Sequence, residues 1–429
     1  SLTASLTASA LGAWILFGPA SAATWGGIGA VIGYALGTAA PMLFLYNFGP
    51  KIRKEFPKGL TLTEFIKKRF GVGILKICLF LILFYLTIFL IAEVTAIASL
   101  LNFISQVPLW ITAGVTLIIC LLYILRGGFT LSIITDKYQF TFIILIILAS
   151  LLIILSNIDL SSFEIIKKNS PNLIDKNYLP NYTAGLTFFI AVAATNLFHQ
   201  GNWQRVYAAK NNKILKKSLI FSSIVIVPIV FFMGFSGLVA VSVDPKVIPD
   251  LGFFSLLLRD QAEFLSIIIT ILGLSLTIST VDTLINAISS LIVVDGRATF
   301  NLNKKINYLK FSKYFIVALS IVAFVVASKG FSILYLFLLA DLFCCAFVLT
   351  IFYSFYNKKI NEKTAYISII IGLIGGFLLF PFPDFSKSLL VGTIVTKELF
   401  SPFVSQSLLF LSFIIATFLP AIILQIKKY

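Results

Sequence analysis

Long runs of apolar residues recur along the whole chain. Residues 140–155, 214–243 and 264–278 are almost free of polar positions. About 20 apolar residues cross a bilayer as a helix, and a segment in lipid must satisfy its own backbone hydrogen bonds, which favours helices. The pattern predicts an all-α polytopic membrane protein with about twelve spans, at residues 2–25, 27–49, 72–104, 107–125, 136–157, 183–204, 216–243, 262–294, 311–328, 331–356, 364–382 and 405–426.

Composition and charge agree with a membrane protein. Hydrophobic residues make up 59% of the 429 residues, and the mean hydropathy is +1.03, whereas soluble domains are about 45–50% apolar. The net charge of +16 could indicate nucleic-acid binding, but most basic residues fall in the loops after even-numbered spans. Such loops lie in the cytoplasm of multi-pass proteins. We therefore expect a plasma (cytoplasmic) membrane protein in contact with the lipid bilayer, with basic loops and C-terminus cytoplasmic and no nucleic-acid partner.

The loops leave no room for a second domain, so residues 1–429 are predicted to form a single transmembrane domain. The longest loop covers about residues 158–182. The chain starts at Ser1 within an apolar segment, and we expect its natural N-terminus to extend further. A single histidine and no paired acids in a loop argue against an enzyme. The four cysteines fall inside apolar runs, which predicts buried, inert thiols: Cys78, Cys120, Cys344 and Cys345.

Span 1 is unusually rich in Ser, Thr, Ala and Gly, and Gly18 precedes Pro19. Gly-Pro favours a helix break, and a break inside a membrane exposes carbonyls that can line a cavity or bind an ion. Small residues also allow close helix packing. Both interpretations, a broken helix and a packing seam, remain open for this span.

Span 8 carries a polar face inside the membrane. Ser279, Asp282, Thr283, Asn286 and Ser290 recur at three- and four-residue spacing, which places them on one helix face. A carboxylate at mid-span costs a few kcal/mol on insertion scales, and oxygen ligands suit a small hard cation. Interhelical hydrogen bonding is the alternative, but Asp282 favours a cation site.

Other polar residues inside spans are functional candidates by position. Glu93 lies in the middle of span 3 and Asp341 in span 10, while His199 and Asn202 end span 6. Glu93 is equally compatible with pairing to another helix. A histidine at this position is more often a satisfied polar residue near the interface than a proton carrier.

Four segments together resemble the solute:sodium symporter family. Each is short, but they occur in the family's order and at the matching ends of the spans. They are residues 63–71 (T..E…RFG), residues 127–139 (GG…TD..Q), residues 204–210 (QR..AAK) and residues 279–295 (ST.D with a later SS and D). The resemblance implies a core of two inverted five-helix repeats, here residues 1–157 and 183–356, followed by two additional helices at residues 364–426.

The resemblance also implies a sodium site between the first and eighth core helices. The hydroxyl ligands would be Ser279 and Thr280, and the carbonyl ligands Leu276, Ala8 and Leu11. Asp136 resembles an acid on the family's intracellular exit route. Ala10 stands where some members have an aspartate, so a second carboxylate is missing near this site.

The solute pocket is expected among residues 11–17, which include Trp14, and near Glu93, the end of span 6 and Asp341. Residues 199–205 resemble a run of the urea and polyamine branch, but His199 replaces its aspartate. That loss of a counter-charge favours a small neutral or anionic solute over a cationic amine. Tyr34 and Gly37 replace polar residues of sugar-transporting members and argue against a sugar.

These observations predict Na⁺-coupled symport of a small organic solute by alternating access. Proton coupling through Glu93, Asp282 or Asp341 is one alternative, and a transporter-like solute sensor is another. Oligomeric state and stoichiometry do not follow from the sequence.

Overall fold

The computed structural model describes residues 12–57, 61–122, 145, 147–149, 152, 160–258, 263–296, 299, 307–385, 387–394 and 402–426. The regular elements of this part of the chain are helices. They are α1 (Trp14–Glu55), α2 (Leu62–Phe70), α3 (Val72–Ser105), α4 (Leu109–Leu122), α5 (Leu160–Asn169), α6 (Leu179–Phe198), α7 (Gln200–Ala208), α8 (Asn212–Val243), α9 (Gly252–Leu257), α10 (Glu263–Ser290, continued by a π-helical turn, Leu291–Gly296), α11 (Tyr308–Ala327), α12 (Ile333–Tyr356), α13 (Glu362–Leu379), α14 (Leu389–Ile394) and α15 (Pro402–Ile426).

The all-helical membrane fold predicted from the apolar runs is confirmed. Within the described residues, eight helices are long and apolar enough to cross a membrane, and α4 is a shorter apolar helix. The bounds of α3, α8, α10, α11, α12 and α13 agree with the predicted spans to within a few residues. Most of predicted span 136–157 lies outside the described residues, so the total of twelve spans is untested.

Helix α1 is a hairpin of two helical arms that reverses direction at Gly27. Gly27 has φ 58° and ψ −155°, a left-handed conformation that glycine adopts without a Cβ penalty. The Trp14 and Tyr34 rings stack with centroids 5.8 Å apart, although 20 residues of straight helix would separate them by about 30 Å. The two arms therefore correspond to predicted spans 1 and 2.

The helix break predicted at Gly18-Pro19 is wrong. Gly27 is the residue of α1 with non-helical dihedral angles, and Pro19 lies inside the first arm. A Cβ on Gly18 would meet the Tyr34 hydroxyl, so this glycine serves the packing of the two arms. At its N-terminal end α1 begins at Trp14, and the described residues before it, Gly12 and Ala13, lie outside the helix. For the described part of span 1, the structure supports the alternative interpretation, a small-residue packing seam, and residues 2–11 lie outside the described residues.

The seam continues onto the neighbouring helices α6 and α8. A Cβ on Gly33 would overlap with the Gly185 carbonyl of α6, and a Cβ on Gly237 of α8 would overlap with the Ala20 carbonyl. Small residues thus bring these backbones into direct contact. This packing fixes α1 against α6 and α8.

Gly33→Ala is expected to lower the melting temperature by several degrees, because the added methyl group forces α1 and α6 apart. Overpacking of this kind costs about 1–3 kcal/mol. Gly296→Ala is the matched control, since the nearest atom to its Cβ would be 3.9 Å away. Thermal unfolding in detergent measures both variants. Equal melting temperatures would contradict the direct contact between these backbones.

Predicted span 6 is two helices rather than one. Helix α6 ends at Phe198 and α7 starts at Gln200, with His199 in an extended conformation between them. The last carbonyls of a helix need other donors, and here side chains supply them. Asn202 donates to the Asn196 carbonyl and Trp203 to the Leu197 carbonyl, while Tyr85 of α3 donates to the Phe198 carbonyl. The donor from Tyr85 is distant in sequence, so local sequence did not show that this end of α6 is satisfied.

The predicted loop 158–182 also contains regular structure. It holds α5 and a short 3-10 helix, Pro171–Leu173. Asn181 at the start of α6 donates to the Asn172 and Asp175 carbonyls. A Cβ on Gly27 would overlap with the Leu173 carbonyl. The loop therefore packs directly onto the turn at Gly27.

Polar contacts tie the elements together on the side of the basic loops. Arg69 of α2 donates to the carbonyls of Ser354, Asn357 and Ile360 at the end of α12. Thr63 donates to Asp295 at the end of the π-helical turn, at 2.7 Å. Two of the family-like segments therefore meet in space, a contact that their separation in sequence did not predict.

On the opposite side, Asp250 caps the start of α12. Its carboxylate accepts the Ile333 amide at 2.8 Å and the Leu334 amide at 3.3 Å. Burial raises the pKa of Asp250, while the hydrogen bonds from these amides and from Ser21 and Ser332 act in the other direction. Because Ser21 belongs to the first arm of α1, this carboxylate links α1 to α12.

Candidate cation and solute site

A cavity in the middle of the bundle lies between α1, α3, α6, α10 and α12. In the conformation described, its volume is about 40 Å³. The wall is formed by Gly12, Trp14, Tyr34, Phe89, Val192, Thr195, Asn196, His199, Thr280, Phe337 and Asp341. The cavity thus brings together residues that are more than 300 positions apart, including Trp14, His199, Thr280 and Asp341 from the predicted site.

The start of α1 touches α10 at the level of the predicted sodium site. A Cβ on Gly12 would lie 3.0 Å from the Thr280 hydroxyl oxygen. Thr280 donates to the Leu276 carbonyl at 2.9 Å, so two of the predicted ligands are neighbours. Ser279 and Thr280 are half-buried. The other two predicted ligands, Ala8 and Leu11, lie outside the described residues.

The part of the cavity wall formed by α12 carries a carboxylate. Asp341 is 5% exposed, and its Oδ1 accepts the Thr195 hydroxyl at 2.6 Å. Aromatic rings line the same cavity: Phe337 packs on Phe89 with centroids 5.0 Å apart, and Trp14 stacks on Tyr34. A carboxylate beside aromatic faces can hold an organic cation through charge and cation–π attraction.

Glu93 lies behind this cavity rather than in its wall. Its side chain is fully buried, and its Oε1 accepts the Trp14 amide at 3.3 Å. Trp14 therefore separates the carboxyl group from the cavity. The sequence placed Glu93 and Trp14 in one pocket, and the structure places them in contact with each other.

The remaining predicted residues differ in position. His199 lines the cavity at the bend between α6 and α7. Asn202 is buried and holds the end of α6. Asp282 is buried on α10, where Asn286 donates to its Oδ1 at 2.5 Å, and neither Asn202 nor Asp282 belongs to the wall of this cavity. Asp136 lies outside the described residues.

Several wall residues were not predicted as site residues from the sequence. They are Tyr34, Phe89, Val192, Thr195, Asn196 and Phe337. A signal was present, because residues four apart share a helix face. Phe89 precedes Glu93, Thr195 precedes His199 and Phe337 precedes Asp341 by four positions each. Extending each helix face by one turn from its polar residue would have identified half of these residues.

Two solved structures share this fold over nearly the whole chain. A Na⁺-coupled sialic acid symporter in a substrate-bound outward-open state has a TM-score of 0.65 and 17% identity, covering 98% of this chain and 89% of that one. Mhp1, a nucleobase-cation-symport-1 family transporter in a closed conformation with bromovinylhydantoin bound, has a TM-score of 0.56 and 13% identity, covering 99% and 92%. At these identities the likeness concerns the fold.

A curated relative gives a closer match in sequence. The spermidine transporter DUR31 of Candida albicans is 28% identical over 355 residues, which is 82% of this chain. The match spans 66% of that relative's length. This relative is a transporter rather than an enzyme, in agreement with the prediction from the sequence.

The sequence model of the sodium:solute symporter family matches residues 1–372. This match agrees with the family resemblance of the four segments. It also agrees with the helical membrane fold and with the fold similarity to the two solved structures. The chain belongs to the sodium:solute symporter family.

Proposed function

We propose that this protein is a Na⁺-coupled symporter of a small organic cation. The observation that carries the proposal is the shared cavity. One wall has Gly12 against Thr280, where a sodium ion would bind, and the other has Asp341 among aromatic rings, where the solute would bind. Both ligands would thus bind to the start of α1 at the same time, which is what coupling between them requires.

The sodium part of the proposal rests on oxygen donors. Na⁺ is a hard cation that prefers carbonyl and hydroxyl ligands. The Leu276 carbonyl and the Thr280 hydroxyl lie next to each other on α10. Thr280 is also adjacent to Gly12, just before the start of α1. With Ser279, Ala8 and Leu11, they form the ligand set proposed from the family resemblance. A sodium ion held by this set would fix α1 against α10.

The solute is proposed to be a cationic amine. The sequence favoured a neutral or anionic solute because His199 replaces an acid, but Asp341 supplies a carboxylate to the same cavity. A buried carboxylate with a single hydroxyl donor is a strong acceptor for an ammonium group. The aromatic walls match the methylene groups and the charge of an alkylamine. The sequence similarity to a spermidine transporter agrees with this class of solute.

Transport would proceed by alternating access in the plasma membrane, with the basic loops in the cytoplasm. Sodium must favour one conformation by a difference in affinity, because equal affinity for both conformations shifts no population. The contacts of Arg69 with α12 and of Thr63 with Asp295 would have to open for release on the side of the basic loops.

The proposal is tested by melting temperatures of the purified protein in NaCl and KCl at equal ionic strength and pH. Spermidine, a short monoamine, a neutral amide and a carboxylate are added in each salt. A ligand at a hundredfold excess over its Kd stabilises by about 2.7 kcal/mol. We expect Na⁺ to raise the melting temperature and an amine to raise it further only in Na⁺. Equal behaviour in both salts would disprove sodium coupling, and stabilisation by the carboxylate alone would disprove the amine.

A further inference from the structure

Glu93 is a buried carboxyl group that the Na⁺ and solute sites do not use. It lies at the middle of α3 with no exposed surface. Its Oε1 accepts the Trp14 amide, while its Oε2 has no hydrogen-bond partner within the described residues. Within the described residues, the groups that stabilise its charged form are the backbone amides of Trp14 and Ala13, and no basic side chain is among them.

We propose that Glu93 is a proton-binding site, and that it takes up and releases one proton as the start of α1 closes on and leaves α3 during transport. The inference rests on the proposed transport function and adds a second coupled ion to it. In the conformation described, the Oε2–H bond is formed and the carboxyl group is neutral.

The surroundings favour a proton over a metal ion. A carboxylate buried without a paired charge is strongly unfavourable, and one or two amides only partly offset this. A metal ion needs several oxygen ligands, but Oε2 has no polar neighbour at hydrogen-bond distance and no group of three metal-binding side chains occurs in the described part of the chain. A proton needs one oxygen atom and removes the charge.

The contact with Trp14 explains why the proton would be released. Trp14 both lines the cavity and donates its amide to Glu93. Movement of the start of α1 away from α3 would therefore expose the carboxyl group to cavity water. There the Oε2–H bond breaks, the proton passes to water, and the hydrated carboxylate is no longer costly. The return of Trp14 requires a proton to be taken up again.

Other titratable groups must be separated from Glu93 in any test. Tyr34 of α1 interacts electrostatically with both Glu93 and Asp341 of α12. Asp282 of α10 is held by Asn286 and interacts with Cys120 of α4. The charged residues of the other helices packed on α3 lie near their ends: Glu64, Lys67, Lys68 and Arg69 on α2, Lys310 and Lys313 on α11, and Glu362 and Lys363 on α13. Because Asp341 and the amine also titrate, the readout must be proton-driven transport rather than a pH profile alone.

The test measures uptake of radiolabelled spermidine into proteoliposomes. One arm has equal Na⁺ on both sides and an inward proton gradient of about two pH units, which sustains about hundredfold accumulation at one proton per solute. The other arm has a Na⁺ gradient at equal pH. We expect both gradients to drive uptake by the native protein. In Glu93→Gln, proton-driven accumulation should fall at least about tenfold, whereas Na⁺-driven uptake should be unchanged.

The controls assign the effect to this carboxyl group. Glu164→Gln makes the same chemical change on an exposed residue of α5 and should leave both arms unchanged. Glu93→Asp keeps a carboxyl group and should retain the proton drive. Uptake by the native protein that follows Na⁺ but not protons overturns the inference and leaves the proposed function intact. A proton drive that persists in Glu93→Gln also overturns it. Absence of uptake in both arms rejects the proposed function and the inference with it.

Discussion

Asp341→Asn is expected to weaken amine binding by about 30-fold to several thousandfold, because it removes the carboxylate from the cavity. Loss of one partner of a buried charge pair costs about 2–5 kcal/mol, and each 1.4 kcal/mol is a factor of ten in Kd. The Thr195 hydroxyl can still donate to the amide oxygen of asparagine, so the helix contact is preserved. Isothermal titration with spermidine in NaCl measures the change.

Asp341→Asn should weaken the binding of the solute and leave the binding of Na⁺ unchanged. The melting-temperature increase caused by Na⁺ alone is expected to persist in Asp341→Asn, because Asp341 is not one of the proposed sodium ligands. Asp244→Asn is the matched control: Asp244 is exposed, and asparagine can still accept the Lys246 amide as Asp244 does. Unchanged spermidine affinity in Asp341→Asn would reject Asp341 as the ammonium ligand and favour the neutral solute expected from the sequence.

Thr280→Ala is expected to abolish the stabilisation by Na⁺ at concentrations near 100 mM. The substitution deletes one proposed ligand and leaves the Leu276 carbonyl without its hydroxyl partner. An interaction between a charged group and one oxygen donor contributes about 1.5–3 kcal/mol, which corresponds to a loss in Na⁺ affinity of about tenfold to 150-fold. Melting temperatures over a NaCl series, at constant ionic strength with KCl, give the apparent Kd.

Thr270→Ala provides the control on the same helix. Thr270 donates to the Ser266 carbonyl at 2.8 Å, the same contact that Thr280 makes with Leu276, but it lies more than two turns away from the start of α1. Its loss should lower the melting temperature equally in both salts. If Thr280→Ala keeps the Na⁺-dependent rise, the sodium ligands lie elsewhere. Thr280→Ser should keep most of the rise, since it retains the hydroxyl.

The candidate site was partly accessible from sequence because polar residues are costly inside a membrane. That cost made Glu93 and Asp341 conspicuous, whereas the family resemblance indicated Thr280, and the structure places all three around Trp14 or its cavity. The apolar part of the wall gave no such signal. Phe89 and Phe337 are two of 43 phenylalanines, and their spacing from an acid gains meaning only once both helices are known to face one cavity.

Polar residues at helix ends were harder to interpret. Asn202 has an amide side chain of the kind that binds solutes, yet it donates its hydrogen bond to the Asn196 carbonyl at the end of α6. Asp295 and Thr63 form a hydrogen bond across 232 positions. Whether such a residue serves backbone, another side chain or a ligand depends on what lies opposite to it, and local sequence carries no information about that partner.

The sequence by itself determined the membrane class, the positions of most described spans and the family resemblance. These depend on hydropathy over about 20 residues and on short motifs, which are local properties of the chain. It also indicated that α1 and α10 are chemically unusual, because their polar and small residues are unfavourable in lipid.

Only the tertiary structure decided where the helices break and which residues share the cavity. Gly18-Pro19 stays helical and Gly27 reverses the chain, because the packing of small residues against α6 and α8 determines the path of α1. The bend at His199 is held by donors from α3 and α7. Likewise, Asp341 faces Trp14 and Thr280 across one cavity only because α12 packs against α1 and α6, and this long-range packing turned the prediction from a neutral or anionic solute towards an amine.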